Sequence, residues 1–367
     1  MFTILKASAI AYCGDRWSDI RDYYNAHAES IKPPTILPTQ WDNRILYRLF
    51  DCWLRLFRKD GWDDLHGVLT AIAELRSEQT QYEAQEIFLN PAADGRLMAF
   101  RLVSMYHWAR ATELLATFVT HGDNMSICVD LDKHFEAAIT SAEHSGDMAY
   151  ELLLHWLHAT SILMVKNSLW WGTRTVNSRV TKFVKSVTRR EAKPIFEMLP
   201  PQRAALLECG LLDQAKTAIV VDLPTSGGKT LLSQFPILQA LNQFNEDKGW
   251  VAYVAPTKAL VAQITRRFRR DFDPIGIRVE QLTAAVEIDA FEEKLLNDGV
   301  NRFDVLVATP EKMSLLVRNN KVPNRPLALI VLDEAHTYDG SLGTEISWLL
   351  KRLSKRVGGA QRLQFMA

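Results

Sequence analysis

The sequence lacks the marks of several protein classes. Four cysteines in 367 residues (Cys13, Cys52, Cys128 and Cys209) stand far apart, with no CxxC pair among them. Neither a zinc ribbon nor a disulfide-stapled secreted scaffold is therefore expected, and a reducing cytoplasm suits the set. No stretch nears the ~20 uninterrupted apolar residues that a bilayer crossing takes. The apolar run at the N-terminus soon meets Asp15 and Arg16, which argues against a signal peptide. Neither sign of charge is in excess: Lys+Arg and Asp+Glu number 43 each. A globally basic nucleic-acid binder is thus excluded, and any polyanion surface must be local. The GxSxG, HExxH and zinc-finger spacings are missing, and no period marks a repeat architecture. What remains, 47% hydrophobic and 23% charged, is the make-up of a globular chain long enough for two domains of ~100–200 residues.

The two halves follow different patterns. Up to about residue 195, apolar residues recur at three and four: Ile45, Leu46, Leu49, Phe50, Trp53, Leu56 and Phe57 form one stripe, with Arg44, Arg48, Arg55 and Arg58 opposite. Similar helical stretches are predicted over 65–76, 79–89, 96–120, 130–143 and 148–166, parted by breakers such as Asn90-Pro91 and Gly146-Asp147. Eight of the ten tryptophans fall before residue 200, and core anchoring is the expected use for them. From about 200 onward, short runs rich in Val, Ile and Leu alternate with longer helical segments. Runs 218–222, 250–255, 277–282, 304–308 and 327–333 read as buried parallel strands of a doubly wound α/β domain. The expected organisation is thus α plus α/β, an all-helical domain over 1–195 followed by a parallel-sheet P-loop domain over 196–367. Charge is uneven between them. Residues 1–173 carry 15 basic and 22 acidic side chains, whereas 174–193 hold seven basic residues against Glu191 alone. That basic segment reads as a solvated helix face or linker, with a phosphate-backbone contact as the other option.

The strongest chemical signal is Leu223-Pro-Thr-Ser-Gly-Gly-Lys-Thr230, set between a strand and a helix. A phosphate needs unobstructed backbone N–H groups, a helix N-terminus and a lysine, and this arrangement provides all three. Lys229 would contact the β- and γ-phosphates and Thr230 the Mg²⁺. The strict GxxxxGK[ST] pattern fails at its first position, where Leu223 stands. About 100 residues later, Asp333-Glu-Ala-His336 follows the apolar run LALIVL, which projects its carboxylates from the carboxyl end of a parallel strand, the ligand-binding edge of α/β domains. Asp333 can hold Mg²⁺ through its water shell and Glu334 can orient and activate the attacking water, the two tasks that phosphoanhydride hydrolysis leaves to a protein. His336 is placed to couple the nucleotide site to a following domain.

With these elements in place, the second half resembles the first RecA-like domain of the superfamily 2 helicases (DEAD/DEAH-box and DExH proteins), nearest the Superkiller-like and large helicase-related subgroup. The resemblance covers about 200 to the end and rests on motifs in the family's order. LPTSGGKT is similar to motif I, with Ser226 where many members have Gly. Ala255-Pro-Thr-Lys-Ala-Leu260 is similar to motif Ia, Ala308-Thr-Pro-Glu-Lys-Met313 to motif Ib, and DEAH to motif II. Residues 338–353 resemble the helix that follows motif II in the subgroup. Leu282-Thr-Ala-Ala departs from the glycine-rich turn common in relatives.

The resemblance implies an ATP-dependent helicase or translocase that uses ATP and Mg²⁺. Pro224, Thr225, Ser226, Gly227, Gly228, Lys229 and Thr230 would cradle the nucleotide, with Gln202 in the place of the adenine-reading glutamine and His336 beside the site. Lys229, Asp333 and Glu334 would be catalytic, and Thr230 and Asp333 the metal residues. It assigns Pro256, Thr257 and Lys258 of motif Ia and Thr309, Pro310 and Glu311 of motif Ib to the nucleic-acid backbone, which agrees with what helix N-termini and hydroxyls offer phosphates. Arg266, Arg267, Arg269 and Arg270 read as a solvated helix face, with strand contact behind it. Motif III and the second RecA-like domain lie beyond the sequence, so weak turnover is expected until that domain is supplied in cis or in trans. DNA is favoured over RNA as partner, no membrane is expected, and the helical half is a candidate dock for a protein partner in a bacterial defence or repair system. The competing readings are a protein-directed P-loop NTPase and an inactive nucleotide-binding scaffold. A metal site at Glu151, His155 and His158 is discounted, because Trp156 and a leucine run make a buried helix the simpler account.

Overall fold

The computed structural model describes residues 2–16, 19, 20, 22–24, 26, 41–89, 95–224, 227–282, 292, 293, 296, 303–356 and 363–367. Thr225 and Ser226 of the phosphate loop, and Thr283, Ala284 and Ala285 of the atypical turn, lie outside them. The chain divides into two compact units, one of residues 1–171 and 188–198, the other of 172–187 and 199–367. The basic stretch is therefore shared, with 172–187 grouped with the sheet.

The first unit is helical: α1 (Phe2–Cys13), α2 (Trp41–Arg58), α3 (Trp62–Leu89), α4 (Gly95–His121), α5 (Ile127–Ser145) and α6 (Met148–Asn167). All seven residues of the predicted α2 stripe are buried. Its arginines pair along the other side: Arg48 Nη1 with Glu74 Oε2 at 2.6 Å, Arg48 Nη2 with Glu78 Oε1 at 2.6 Å, and Arg55 Nε with Asp51 Oδ2 at 2.8 Å. The run at the N-terminus, inside the expected helical region but not among the stretches singled out, is a helix, α1, whose Leu5, Ala9 and Tyr12 enter the core. One expectation needs correction. The stretches predicted over 65–76 and 79–89 are one continuous helix, because no Gly or Pro separates them. Four tryptophans (Trp41, Trp53, Trp108 and Trp170) are buried. Trp53 Nε1–H donates to Thr112 Oγ1 at 2.9 Å, and its ring meets Phe57 and Phe135 edge-on or tilted. Truncating Trp53 to Ala would open a large cavity and strip Thr112 of a partner. We expect about 3–5 kcal/mol of lost stability, to be read from urea unfolding of the full chain followed by circular dichroism.

The second unit is built on six parallel strands, β1 (Ala218–Ile219), β2 (Trp250–Val254), β3 (Val279–Gln281), β4 (Val305–Ala308), β5 (Leu327–Leu332) and β6 (Gln364–Met366), in the order β1-β6-β5-β2-β4-β3. Helices cover both faces, as all-parallel sheets require. Pleat alternation sends Trp250, Ala252 and Val254 into a core with Met313, Leu316, Ile346, Leu349 and Leu353, from α12 (Pro310–Arg318) and α13 (Gly340–Arg356). Tyr253 faces the other way, its ring 5.1 Å edge-on to that of Phe268 in α11 (Lys258–Phe272). On that same side, Phe183 of the basic helix α8 (Ser178–Arg189) meets Phe235 of α10 (Lys229–Gln243) edge-on and Phe272 at a tilt. Its buried Val180, Phe183, Val184 and Val187 alternate with exposed Lys182, Lys185 and Arg189, the amphipathic pattern that seats 172–187 on this unit.

Candidate nucleotide and nucleic-acid site

Because every strand runs the same way, all carboxyl ends lie on one edge of the sheet. The loops after β1, β5, β2 and β4 carry, in that spatial order, GGKT, DEAH, PTK and TPEK. The sequence motifs thus stand in one row, the two expected to hold nucleotide separated only by β6.

At the β1 end, Gly228 caps α10 with φ 73°, in the left-handed region that favours glycine. A Cβ there would stand 2.1 Å from Gln202 Nε2, so a side chain would have to displace the Gln202 amide as well as bear the left-handed backbone. Gly227 N–H donates to Pro224 O at 2.8 Å, which tightens the turn. Gln202 lies on the short helix α9 (Pro200–Leu207) and is 4% exposed. Its Oε1 accepts from Leu199 N–H at 2.9 Å and its Nε2 donates to Gly228 O at 3.3 Å. The candidate adenine-reading residue is therefore tied to the phosphate loop, with one amide hydrogen left over. Lys229 and Thr230 follow as the first two residues of α10, where free backbone N–H groups converge.

At the β5 end, Asp333 N–H donates to Val254 O at 2.8 Å, which continues the ladder past the strand. Glu334 adopts φ 49°, a left-handed conformation unusual for a non-glycine residue, and its N–H donates to Asp333 Oδ1 at 3.1 Å. Glu334 Oε2 lies 3.6 Å from Lys229 Nζ and 3.4 Å from His336 Nδ1. The loop lysine and the motif II glutamate are thus in direct contact. The His336 side chain is 72% exposed, so it rims the site rather than lining it. Burial pushes the Asp333 carboxyl above the ordinary carboxylate range; a hydrogen bond from Tyr253 and the charge of Lys229 act the other way. Burial and the nearby Asp333 raise the Tyr253 hydroxyl well above its ordinary value, so it stays protonated as a donor. The Tyr338 hydroxyl, raised by burial, donates to Val254 O at 3.3 Å. The Thr230 hydroxyl and the half-buried Asp333 carboxylate are hard oxygen donors of the kind Mg²⁺ takes.

At the β2 end, Thr257 caps α11, its hydroxyl accepting from Leu260 N–H at 3.2 Å; Thr257 and Lys258 are exposed and Pro256 half-buried. At the β4 end, Thr309 caps α12 and accepts from Lys312 N–H at 3.4 Å, but Thr309 and Pro310 are buried, so Glu311 alone of the three is exposed. Lys312 is held inward by Glu292, Nζ to Oε2 2.6 Å, with both side chains 5% exposed. The arginine row of α11 divides. Arg269 binds Glu280 at 2.6 Å and Val279 O at 2.8 Å, Arg270 binds Asp271 at 2.8 Å, Arg267 is half-buried, and Arg266 is exposed. Lys258, Arg266 and Arg270 are thus exposed, with Arg270 paired to Asp271. Of the residues left out of the sequence reading, Tyr253 bears on the site as one of the groups that act on Asp333; the one signal available was a tyrosine within an otherwise apolar strand, WVAYV. His158, set aside as a ligand, is bonded to Asp132 at 2.7 Å, and no group of three metal-binding side chains occurs among the described residues. No described helix is long and apolar enough to cross a membrane.

Residues 200–367 match a protein family described as DEAD/DEAH box helicase. The chain is 31% identical over 157 residues to the ATP-dependent DNA helicase Hel308 of Pyrococcus abyssi, an alignment that covers 43% of this chain and 20% of that protein. It is 30% identical over 198 residues to Hel308 of Thermococcus kodakarensis, covering 51% and 16%. With activating signal cointegrator 1 complex subunit 3 of Danio rerio it shares 28% over 155 residues, covering 40% and 10%. The chain spans a fifth or less of the length of these curated relatives. Among solved structures, the DUF1998 helicase MrfA bound to DNA and AMPPNP is similar at a TM-score of 0.39 and 23% identity, over 52% of this chain and 26% of that one.

Proposed function

Residues 200–367 are a DEAD/DEAH box helicase domain of superfamily 2, and from that premise we propose that the protein is an ATP-dependent nucleic-acid motor whose nucleotide site lies between the β1 and β5 loops. The observation that carries the reading is the contact of Lys229 with Glu334 at 3.6 Å, which brings a phosphate-binding lysine and a water-orienting carboxylate to one point. In this reading Gly227, Gly228 and the N-terminus of α10 receive the phosphates, Lys229 turns from Glu334 to the β- and γ-phosphates, and Gln202 holds the base. Thr225 and Ser226 complete the loop. Thr230 and Asp333 would hold Mg²⁺, which supplies charge neutralisation on the phosphates when bound. Glu334, released from Lys229, orients and deprotonates the attacking water.

Pro256, Thr257 and Lys258 stand on the same edge, beyond motif II, and are assigned to the strand backbone, while the buried Thr309 and Pro310 shape the N-terminus of α12, where Glu311 is the exposed residue. Lys258 and the N-terminus of α11 are the donors best exposed for it. Sequence-tolerant binding follows, because phosphates carry no sequence information. The relatives named as DNA helicases favour DNA over RNA. Full turnover is assigned to this domain together with a second RecA-like domain in cis or in trans, and His336, exposed at the rim, would relay closure between them. The helical unit, with its own core and an acidic balance unsuited to a polyanion, is assigned to a protein partner, in keeping with a bacterial defence or repair system.

The test is ATP hydrolysis by the protein with its second RecA-like domain supplied, measured with single-stranded DNA, duplex DNA and RNA. At least tenfold stimulation by DNA is expected. Nucleotide binding with no stimulation by any polymer would replace this reading with the scaffold or protein-directed NTPase.

A further inference from the structure

A polar groove opens at the amino edge of the sheet, opposite the row of motifs. It consists of two adjoining cavities of about 300 and 390 Å³, both lined by Arg179, Asn245 and Gly276. Lys182 stands at one end and Arg278 and Asp304 at the other. Gly276, Arg278 and Asp304 come just before β3 and β4, and Asn245 just after α10, so a strand length of ~13–17 Å parts the groove from the Ia and Ib loops. What the groove presents is mostly donors. Arg179 Nη2 donates to Asn245 Oδ1, which uses that amide's acceptor and leaves its NH₂ group. Asp304, the one acidic lining residue among those described, accepts the Arg278 backbone N–H at 2.9 Å. Gly276 has φ 78°, and a Cβ there would meet nothing within 4 Å, so bare backbone lies open to an approaching group. Lys182 and Arg278 are exposed and Arg179 is half-buried.

The helix beside the groove repeats the bias. With Val180, Phe183, Val184 and Val187 buried, α8 needs a polar outer side, but not one of a single sign. Arg179, Lys182 and Lys185 nevertheless stand three residues apart with no acidic residue anywhere in the helix, and like charges on neighbouring turns destabilise a helix. A solvated side of mixed charge would avoid that cost. We propose that the groove, with Lys182 and Lys185 of α8 beside it, is a second nucleic-acid contact that holds backbone phosphates of DNA away from the motif edge. The inference rests on the nucleic-acid reading under Proposed function. Guanidinium groups take phosphate oxygens in pairs, and such contacts position DNA without reading its bases. Because the chain as a whole has no excess of either sign, its pull on a polyanion has to come from local clusters of this kind.

The experiment is fluorescence anisotropy of labelled single-stranded and duplex DNA with the full chain, from about 50 to about 200 mM salt, the range over which phosphate contacts weaken steeply. Wild type is compared with the Lys182→Ala, Arg278→Ala double variant and with a control, Arg318→Ala, Arg352→Ala, whose exposed arginines lie on α12 and α13 across the sheet. In the groove variant the slope of log affinity against log salt is expected to shrink by about 1.4 on single strands or about 1.8 on duplex, the share of two phosphate contacts. Over that range wild type should then lose about seven- to twelvefold more affinity than the variant. The control should keep the wild-type slope. An equal loss in the control would mark a diffuse field and overturn the proposal. An unchanged slope in the groove variant, with wild type binding DNA, would overturn it as well and leave the groove to an acidic protein surface. Circular dichroism monitors the fold; should the double variant not fold, Lys182→Ala and Arg278→Ala decide singly, each expected to remove about half of the slope change. Wild type that binds no DNA would instead remove the nucleic-acid reading and the inference with it.

Discussion

Glu334→Gln is expected to lower polymer-stimulated ATP turnover by about a hundredfold to ten-thousandfold, the span that a positioned general base contributes, while nucleotide binding survives. Gln keeps the shape and the φ 49° backbone unchanged in kind, since both residues carry the same side-chain stem and pay the same left-handed strain. What it lacks is the charge that takes a proton from water. It also lacks the charge that holds Lys229. That pair is 3.6 Å long and about a quarter exposed on each side, so it is worth no more than ~1 kcal/mol, and freeing Lys229 should tighten nucleotide binding by at most about fivefold. Steady-state phosphate release and fluorescent-nucleotide binding read the two effects separately. A drop in turnover below tenfold would show that another group activates the water.

The placement of the candidate site's motifs on one sheet edge was legible in the sequence because its parts are local. A strand, a glycine turn and a helix start within a dozen residues announce the phosphate loop, and LALIVLDEAH announces the carboxylates at a strand end; the parallel sheet then sets both on one edge. What escaped the sequence were relations between elements. Nothing in WVAYV says that Tyr253 faces α10 and Asp333 rather than the opposite core, because face depends on register against β5. The arginines of α11 look alike in sequence, yet Glu280 and Asp271 engage two of them, Arg267 is half-buried, and Arg266 is exposed outside those two pairs. Thr309 and Pro310 read as backbone contacts in a TPEK motif, but the hydroxyl is spent on capping α12 and both residues are buried. The helix α1 escaped for a different reason: its apolar residues are too evenly spread to form a stripe, and tertiary packing on Leu5, Ala9 and Tyr12 decides its conformation.

Lys229→Ala should act on the step before Glu334. A lysine that meets phosphates in a partly shielded loop makes a charge-assisted contact, and removing one partner of such a pair costs about 2–5 kcal/mol, so ATP affinity is expected to fall by about thirtyfold or more. Fold should be untouched, because Lys229 is the first residue of α10 and alanine is the better helix former there, while the lost pair with Glu334 is weak. The two substitutions therefore separate what the geometry joins. Glu334→Gln would leave a protein that binds ATP and does not turn it over; Lys229→Ala would leave one with an intact glutamate and little ATP to act on, its residual turnover restored in part by raising the nucleotide concentration. Isothermal titration with ATP, alongside turnover at saturating ATP, distinguishes them. If Lys229→Ala bound ATP as wild type does, the contact with Glu334 would be a structural ion pair at the sheet edge, and the phosphates would have to be placed elsewhere than at the N-terminus of α10.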